Sequence, residues 1–472
     1  WRVFIIATHS PIVISSAKNA NLILFDSKQG ITYLPDCYGY AVEDVLYYRQ
    51  ESVARPKDVK VLMDQINMCL DDEDYGEAEK ILVRLKKILA VVVAAAMTVT
   101  GLNMSGVTET KKADAASFTN LSQSEIVSEM GAGWNLGNQL EAALGGTPSE
   151  TAWGNPTITS GLIKAVKNAG FSSIRVPVSY LNKIGSDSGY TIDSSWLNRV
   201  QEVVDMCIDN GLYVIINMHG DGYNSIDGGW LLCNGSDQTT IQAKYKACWK
   251  QIATKFKDYD EYLIFESMNE PRLTNSSYEW YFDKNSAECQ EAADCLNRLN
   301  QVFVDTVRAT GGNNATRYLM VPGYDANPDY ACNEYFSMPE DTADNRIIIS
   351  AHAYTPYNFA LEMPGITTFS LDNASQTGDI AWFMNRLYET YVSKGIPVLI
   401  GEFGAMIKGD NLQDRVDWAA YYVASARARG MTVCWWDNNV FSGNGERFGL
   451  IDRKTLVWQA PEVLEAIMKY CE

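Results

Sequence analysis

From about Ser117 onward, short apolar runs alternate with stretches of helical periodicity. Stretches such as 196–208 repeat apolar residues at helical spacing and stop at Asn210-Gly211. Eight apolar runs end in polar or glycine-rich turns and are predicted as strands at 130–136, 173–178, 213–218, 263–268, 318–322, 347–351, 397–400 and 431–436. Eight strands alternating with helices predict an α/β fold, a (β/α)8 TIM barrel with some long loops. A doubly wound open sheet is the competitor, but the chain lacks a dinucleotide-binding glycine fingerprint.

Two glutamates stand where predicted strands end. Glu270 follows the fourth strand and Glu402 follows the seventh. An unpaired carboxylate is costly to bury, so packing does not explain either of them. In a barrel of this kind all strand C-termini gather on one face, where the active site lies. The pattern therefore predicts that the two glutamates meet there, as a carboxylate pair that cleaves glycosidic bonds.

Other polar and aromatic side chains occupy the same predicted strand ends. Any one of them could serve the structure alone, but the whole set on one face favours a substrate site. The set includes two of the three histidines in the chain and consists of Arg175, His219, Asn269, His352, Tyr354 and Trp436.

Composition narrows the range of partners. The 472 residues are 46% hydrophobic and 21% charged, as in soluble globular proteins. Lys and Arg number 39 against 58 Asp and Glu, a net charge of −19, which argues against nucleic acid or an anionic membrane and suits a neutral polymer. The ten cysteines include no pair at two-residue spacing and the three histidines lie far apart, so we expect no metal and no cofactor.

Residues 81–115 resemble a secretory signal peptide. A basic stretch at 84–87 precedes about ten apolar residues at 88–97 and an Ala-x-Ala site at 113–115. The apolar core is too short for a comfortable membrane span, although a buried helix is the alternative. We therefore expect a secreted monomer with no stable membrane anchor, and a catalytic domain at 116–472.

Residues 1–80 have a different character. The first fifteen residues, with Thr8-His9-Ser10 after an apolar run, resemble the strand and His loop near the end of AAA and ABC-type ATPase domains. The chain contains no glycine-rich phosphate loop ending in Gly-Lys-Ser or Gly-Lys-Thr, so it is not expected to bind a triphosphate by itself. We expect residues 1–80 to be the tail of a neighbouring reading frame joined to a secreted enzyme.

From about Phe118 to the C-terminus the chain resembles glycoside hydrolase family 5, the large cellulase family. The segments around Trp134 and Trp153 resemble its endoglucanase and xyloglucanase branch in particular. Many members of that branch carry a second His after the first, where this chain has Gly220, and the loop 221–230 is expected to reshape the cleft. The matching segments are 133–138, 151–156, 174–178, 217–219, 269–271, 352–354, 401–404 and 435–438.

The resemblance, combined with the chemistry of glycoside cleavage, gives these residues roles. Glu270 is the expected acid and then base, which requires a raised pKa, and Glu402 is the expected nucleophile, which must stay ionised. The family retains anomeric configuration, which implies a covalent glycosyl-enzyme. The supporting residues are Arg175 and Tyr354 for Glu402, Asn269 for the sugar 2-hydroxyl, His219 and His352 for sugar hydroxyls or for Glu270, Trp436 for the sugar face, and Asn138 for substrate binding.

Three functions are weighed against the sequence. The leading one is a secreted endo-β-1,4-glucanase acting on a β-glucan polysaccharide, with xyloglucan or mannan as alternative substrates of the same mechanism. A non-catalytic carbohydrate-binding barrel would normally lose one glutamate, and both are present. An ATPase fragment with DNA-linked work conflicts with the missing phosphate loop and the acidic charge.

Overall fold

The structure, a computed structural model, describes residues 22–26, 30–34, 121–235 and 237–471. The chain divides into two compact units, residues 1–111 and 112–472. In the first unit, Leu22–Asp26 and Gly30–Leu34 pair as an antiparallel hairpin. The rest of the predicted extension, including residues 1–15, and the signal-like segment lie outside the described residues.

The second unit contains a closed barrel of eight parallel strands. Each strand pairs with the next along the chain, and the eighth pairs with the first, which closes the sheet. The predicted (β/α)8 barrel is therefore confirmed, and the open-sheet alternative is excluded. The strands are β1 Ala132–Leu136, β2 Ser173–Val176, β3 Tyr213–Asn217, β4 Leu263–Glu266, β5 Leu319–Pro322, β6 Ile347–His352, β7 Val398–Phe403 and β8 Thr432–Asp437.

Helices follow the strands and cover the outside of the barrel. No helix in the described residues is both long and apolar enough to cross a bilayer. The helices are α1 Gln123–Met130, α2 Ser160–Asn168, α3 Ser194–Asp209, α4 Gln238–Lys255, α5 Ala287–Ala309, α6 Pro328–Ala331, α7 Tyr357–Ala360, α8 Ala374–Thr390, α9 Leu412–Arg427 and α10 Pro461–Lys469.

The local sequence explains where these elements begin and which face they bury. The helix predicted at 196–208 is α3, and Asp193 caps its start by accepting a hydrogen bond from the backbone N–H of Trp196 at 3.1 Å. Its apolar residues recur at helical spacing and lie in the core between barrel and helices. The strands are buried along their whole length because one face meets the helices and the other fills the barrel.

A separate apolar cluster fills the lower part of the barrel. It combines inward-facing strand residues such as Ile215 and Leu399 with Ile126 and Met130 of α1, which closes the N-terminal end. Gly133 on β1 gives this interior its room, because a Cβ there would lie 2.2 Å from Sγ of Cys434. Because this apolar cluster fills the N-terminal end, polar side chains gather at the C-terminal face of the barrel.

Candidate active site

The two glutamates meet at the C-terminal mouth of the barrel. Glu270 lies four residues beyond the end of β4, and Glu402 lies within the last two residues of β7, which runs further than the sequence predicts. A carboxylate oxygen of each lies within 4.8 Å of the other. The structure therefore brings Glu270 and Glu402 together, as the sequence predicts.

His352, the last residue of β6, connects the pair. Its Nδ1 lies 2.8 Å from Oε1 of Glu270 and 3.6 Å from Oε1 of Glu402. Gly401 makes this approach possible, because a Cβ at that position would lie 3.0 Å from Nε2 of His352. Of the two roles expected for His352, the structure favours orienting Glu270.

Arg175 holds Glu402 from below. This fully buried guanidinium donates from Nη1 to Oε1 of Glu402 at 2.7 Å, from Nη2 to Oδ1 of Asn269 at 2.7 Å, and from Nε to Oε2 of Glu266 at 2.8 Å. Burial alone would lower the pKa of Arg175, but the charges of Glu266 and Glu402 raise it. Arg175 is therefore a permanent cation beneath the pair.

Glu266 is a site residue that the sequence reasoning missed. Its fully buried carboxylate accepts from Arg175, from Nδ2 of Asn217 at 2.9 Å and from Oγ of Ser350 at 2.6 Å. Oδ1 of Asn135 on β1 accepts a hydrogen bond from Nη1 of Arg175 at 3.1 Å. These residues form a polar floor under the two glutamates. A carboxylate at the end of the apolar run 263–265 was the available signal.

Tyr354 completes the surroundings of Glu402. Its hydroxyl donates to Oε2 of Glu402 at 3.0 Å, as predicted. Burial and then the charge of Glu402 raise the pKa of Tyr354 well above its ordinary value, so the hydroxyl keeps its proton and stays a donor. Arg175 and Tyr354 thus occupy both oxygens of this carboxylate.

Tyr223 is a second missed residue, from the loop after β3. Its hydroxyl accepts from Nδ2 of Asn269 at 2.6 Å and lies 3.5 Å from Oε2 of Glu270. Burial and then the charge of Glu270 raise the pKa of Tyr223, so it remains protonated. Asp221 holds this loop by accepting from Nε1 of Trp230 at 2.8 Å. Gly220 stands where many members of the resembled branch have a second His. In this structure a Cβ at Gly220 would lie 2.6 Å from the Ser179 hydroxyl, so a side chain does not fit there without a shift of Ser179.

Glu270 differs from expectation in its electrostatics. Burial raises its pKa, but the hydrogen bond and charge of His352, followed by the charges of Arg272 and Arg175, outweigh burial and place the pKa below its ordinary value. The expected raised pKa is therefore wrong in direction, and one reason is Arg272, whose Nη1 lies 3.3 Å from Oε2 of Glu270. Some further feature must keep a proton available to this carboxyl.

Trp436 and His219 form one wall of the mouth. Their rings stack with centroids 5.9 Å apart at 10°. Burial and then the charge of Arg175 lower the pKa of His219 well below its ordinary value, so the imidazole is neutral. Its Nδ1 lies 3.3 Å from Nδ2 of Asn217, and none of its hydrogen bonds in the described residues reaches Glu270. His219 therefore does not orient Glu270 through a hydrogen bond, and its contact with substrate stays a prediction.

Asn138 lies in the loop after β1, with a left-handed backbone (φ 59°). Its backbone N–H donates to Glu141, and its carbonyl accepts from Nδ2 of Asn155 at 2.8 Å. Within the part of the chain that the structure describes, no hydrogen bond joins Asn138 to either glutamate. Its predicted contact with substrate stays a prediction.

Within the residues that the structure describes, Glu270, His352 and Glu402 are a group whose donor atoms lie close enough to hold a metal ion. The oxygens of Glu402 already face the guanidinium of Arg175 and the hydroxyl of Tyr354. A divalent ion would have to compete with that fixed buried cation, and its charge would repel it. We therefore assign the cluster no metal.

A closed barrel with two carboxylates at its C-terminal mouth defines a barrel glycosidase. Residues 137–442 match the family described as Cellulase (glycosyl hydrolase family 5), and the chain belongs to that family. Endoglucanase A of Paenibacillus barcinonensis is 44% identical over 380 residues, which cover 76% of this chain and 92% of the relative.

Solved structures agree with this assignment. A family 5 lichenase from Caldicellulosiruptor sp. F32 is 50% identical, with a TM-score of 0.71 over 78% of this chain and 100% of the other. A family 5 xyloglucanase from Paenibacillus pabuli is 47% identical, with a TM-score of 0.68 over 74% and 100%. The prediction of a glycoside hydrolase acting on a polysaccharide is confirmed, whereas the ATPase similarity of residues 1–15 is not borne out.

Proposed function

We propose that this protein is a retaining endo-β-1,4-glucanase in which Glu402 is the nucleophile and Glu270 the acid and base. The observation that carries the proposal is the pair itself, with oxygens within 4.8 Å and unequal surroundings. Retaining glycosidases keep their carboxyl groups about 5–5.5 Å apart, whereas inverting enzymes leave room for a water molecule. The endoglucanase, lichenase and xyloglucanase names of the relatives support a β-glucan substrate.

In the first step, Oε2 or Oε1 of Glu402 attacks the anomeric carbon while Glu270 protonates the departing oxygen. Arg175 and Tyr354 keep Glu402 ionised and aimed, and Asn269 is fixed between Arg175 and Tyr223, where it can accept or donate to the sugar 2-hydroxyl. Positioning of this kind lowers the barrier because no reorganisation is needed during the reaction.

In the second step, Glu270 acts as a base and removes a proton from water. The water attacks the anomeric carbon, the bond to Glu402 breaks, and the original configuration is restored. A lowered pKa of Glu270 suits this step, because an ionised carboxylate is the form that accepts a proton.

Glu270→Ala tests the acid and base role through the leaving group. We expect kcat on β-glucan to fall about 1,000-fold, since general acid–base catalysis contributes roughly 10²–10⁴-fold. A dinitrophenyl β-cellobioside, whose leaving group needs no proton, should still form the glycosyl-enzyme. Azide should then restore turnover and yield the β-glycosyl azide. Full β-glucan activity in Glu270→Ala would refute the assignment.

The substrate is tested by reducing-end assays on cellulose-like β-glucan, mixed-linkage glucan, xyloglucan, mannan and xylan. We expect the highest kcat/KM on glucans with β-1,4 links and internal cleavage of the chain, seen as a rapid fall in viscosity. A higher kcat/KM on xyloglucan would favour the alternative that the Paenibacillus pabuli enzyme suggests. A preference for mannan would replace the glucan assignment.

Trp280 is expected to contact the leaving part of the polysaccharide. It is 64% exposed, and one face of its ring contacts the guanidinium of Arg272 at 3.9 Å, which also touches Glu270. Trp280→Ala should raise KM for polysaccharide about fivefold, since an aromatic contact is worth roughly 1 kcal/mol, and leave a small aryl cellobioside unaffected. Trp382→Ala is the matched control, an exposed Trp beside Arg386 on α8. Equal effects of both changes would contradict the placement.

We further propose that the enzyme is secreted as a monomer without a stable membrane anchor. The support is the signal-like sequence at 84–115. N-terminal sequencing of the secreted protein is expected to give a start shortly after Ala115, and light scattering a single-chain mass. A mature start well before Ala113 would contradict the secretion route.

A further inference from the structure

Asp325 is a largely buried carboxylate, with its side chain 11% exposed, and it has no part in the double-displacement mechanism. It lies just beyond β5 in the short turn Tyr324–Ala326, with a left-handed backbone (φ 57°) that Asp tolerates. Its N–H donates to the carbonyl of Pro271 at 2.8 Å, and the Tyr324 hydroxyl accepts from the N–H of Leu273 at 3.0 Å. These bonds fix the turn against the segment that carries Glu270.

Arg272 stands between Asp325 and Glu270. Its Nη1 lies 3.3 Å from Oε2 of Glu270 and 3.7 Å from Oδ1 of Asp325, while its Nε lies 3.4 Å from Oε1 of Glu279. One guanidinium thus faces three carboxyl groups. Oδ1 of Asp325 is buried and makes no hydrogen bond within the described residues, so burial of this oxygen opposes ionisation of the carboxyl.

We propose that Asp325 is a positioning residue for Glu270. The two carboxyls face the same guanidinium of Arg272 and together hold one proton. The charge on Asp325 then sets the pH above which Glu270 can no longer act as an acid. The proposal rests on the proposed function. Two carboxyls that share a buried site do not both ionise readily. A glycosidic oxygen bound at Glu270 would draw the shared proton to that carboxyl and leave Asp325 ionised against Arg272.

The directions of the two pKa shifts agree with the placement of Asp325 and Glu270 on either side of Arg272. Burial and then the charge of Glu270 raise the pKa of Asp325 well above its ordinary value, while the pKa of Glu270 lies below its own. The titratable and charged groups that face Glu270 from the surrounding elements are Arg175, Tyr223, Arg272, Glu279, Asp325, His352, Tyr354, Glu402 and Glu446.

The sign of the expected effect follows from the shared proton. In the parent enzyme, activity on the alkaline side is lost when the pair releases its last proton, and the negative charge already on the other carboxyl opposes that release. In Asp325→Asn, Glu270 faces a neutral amide and releases its proton at lower pH. Asn tolerates the left-handed backbone and has nearly the same shape, so the turn is preserved.

The experiment compares kcat/KM against pH for the parent and Asp325→Asn on β-glucan. We expect the alkaline limb to move down by about one pH unit, a tenfold loss above it, with the acid limb unchanged. Asp329→Asn is the control, since Asp329 pairs with Arg386 at 3.1 Å. On a dinitrophenyl β-cellobioside, whose leaving group needs no proton, cleavage in the first step should be insensitive to Asp325→Asn.

Two results would overturn the proposal. One is an alkaline limb in Asp325→Asn that coincides with the parent's. The other is an equal loss on both substrates at every pH, which indicates structural damage. If Glu270→Ala abolishes β-glucan cleavage while Asp325→Asn leaves the alkaline limb in place, only the role of Asp325 fails. If Glu270→Ala keeps full activity, the proposed function fails first.

Discussion

Glu402→Ala is expected to lower kcat on soluble β-glucan by at least about 10⁴-fold, as loss of a catalytic nucleophile does in other hydrolases. Its carboxylate is the one that Arg175 and Tyr354 hold on both oxygens at the end of β7. Without it no glycosyl-enzyme forms, and the remaining site binds substrate but lacks an attacking group. Initial rates over a range of substrate concentrations measure the loss.

Azide distinguishes a missing nucleophile from a damaged fold. In Glu402→Ala the anion should enter the vacated space, attack an activated β-cellobioside directly and give the α-glycosyl azide. The inverted product contrasts with the β-azide expected from Glu270→Ala. Glu334→Ala, a change at an exposed carboxylate, should leave activity as in the parent. If Glu402→Ala cleaves β-glucan normally, the nucleophile assignment is wrong.

Arg175→Met is expected to lower the free energy of unfolding by about 3–5 kcal/mol and to abolish activity. The reason is that Glu266 and Glu402, both buried, lose the cation that each contacts at 2.8 and 2.7 Å, and an uncompensated buried charge is costly. Chemical denaturation gives the loss in stability. Arg199→Met, at a partly exposed pair with Glu150, should cost under about 1 kcal/mol.

A double variant separates the two effects of Arg175. Adding Glu266→Gln to Arg175→Met removes one of the stranded charges, so part of the lost stability should return. Activity should not return, because Glu402 still lacks its guanidinium. Equal unfolding free energies for the single and double variants would show that Glu266 does not depend on Arg175.

The barrel and its carboxylate pair could be predicted from the local pattern of apolar and polar residues along the chain. All eight predicted strands are present, and helix α3 covers the predicted 196–208. The segment just beyond β4 and the end of β7 identified Glu270 and Glu402, because a charge close to the end of an apolar run stands out in the sequence. The fold then determines that such tips share one face, whatever their separation along the chain.

The polar floor under the two glutamates could not be predicted from the sequence. Asn135, Asn217 and Ser350 are polar residues inside apolar strands, but their local sequence does not show that they are partners of Glu266 or Arg175. Their contacts depend on the register between strands that are distant in sequence, such as Asn135 beside Arg175 and Asn217 beside Glu266. Pairing register is a property of the closed sheet.

By itself, the sequence determined the alternation of strands and helices and the two glutamates at strand ends, because apolar periodicity and strand termini are local properties. Only the tertiary structure decided how those glutamates are charged. Arg272 from the loop after β4 and His352 at the end of β6 lie against Glu270 and, together with Arg175, place its pKa below its ordinary value rather than above it. Burial and charge act through space over a few ångströms, between segments that the chain brings together only when it folds.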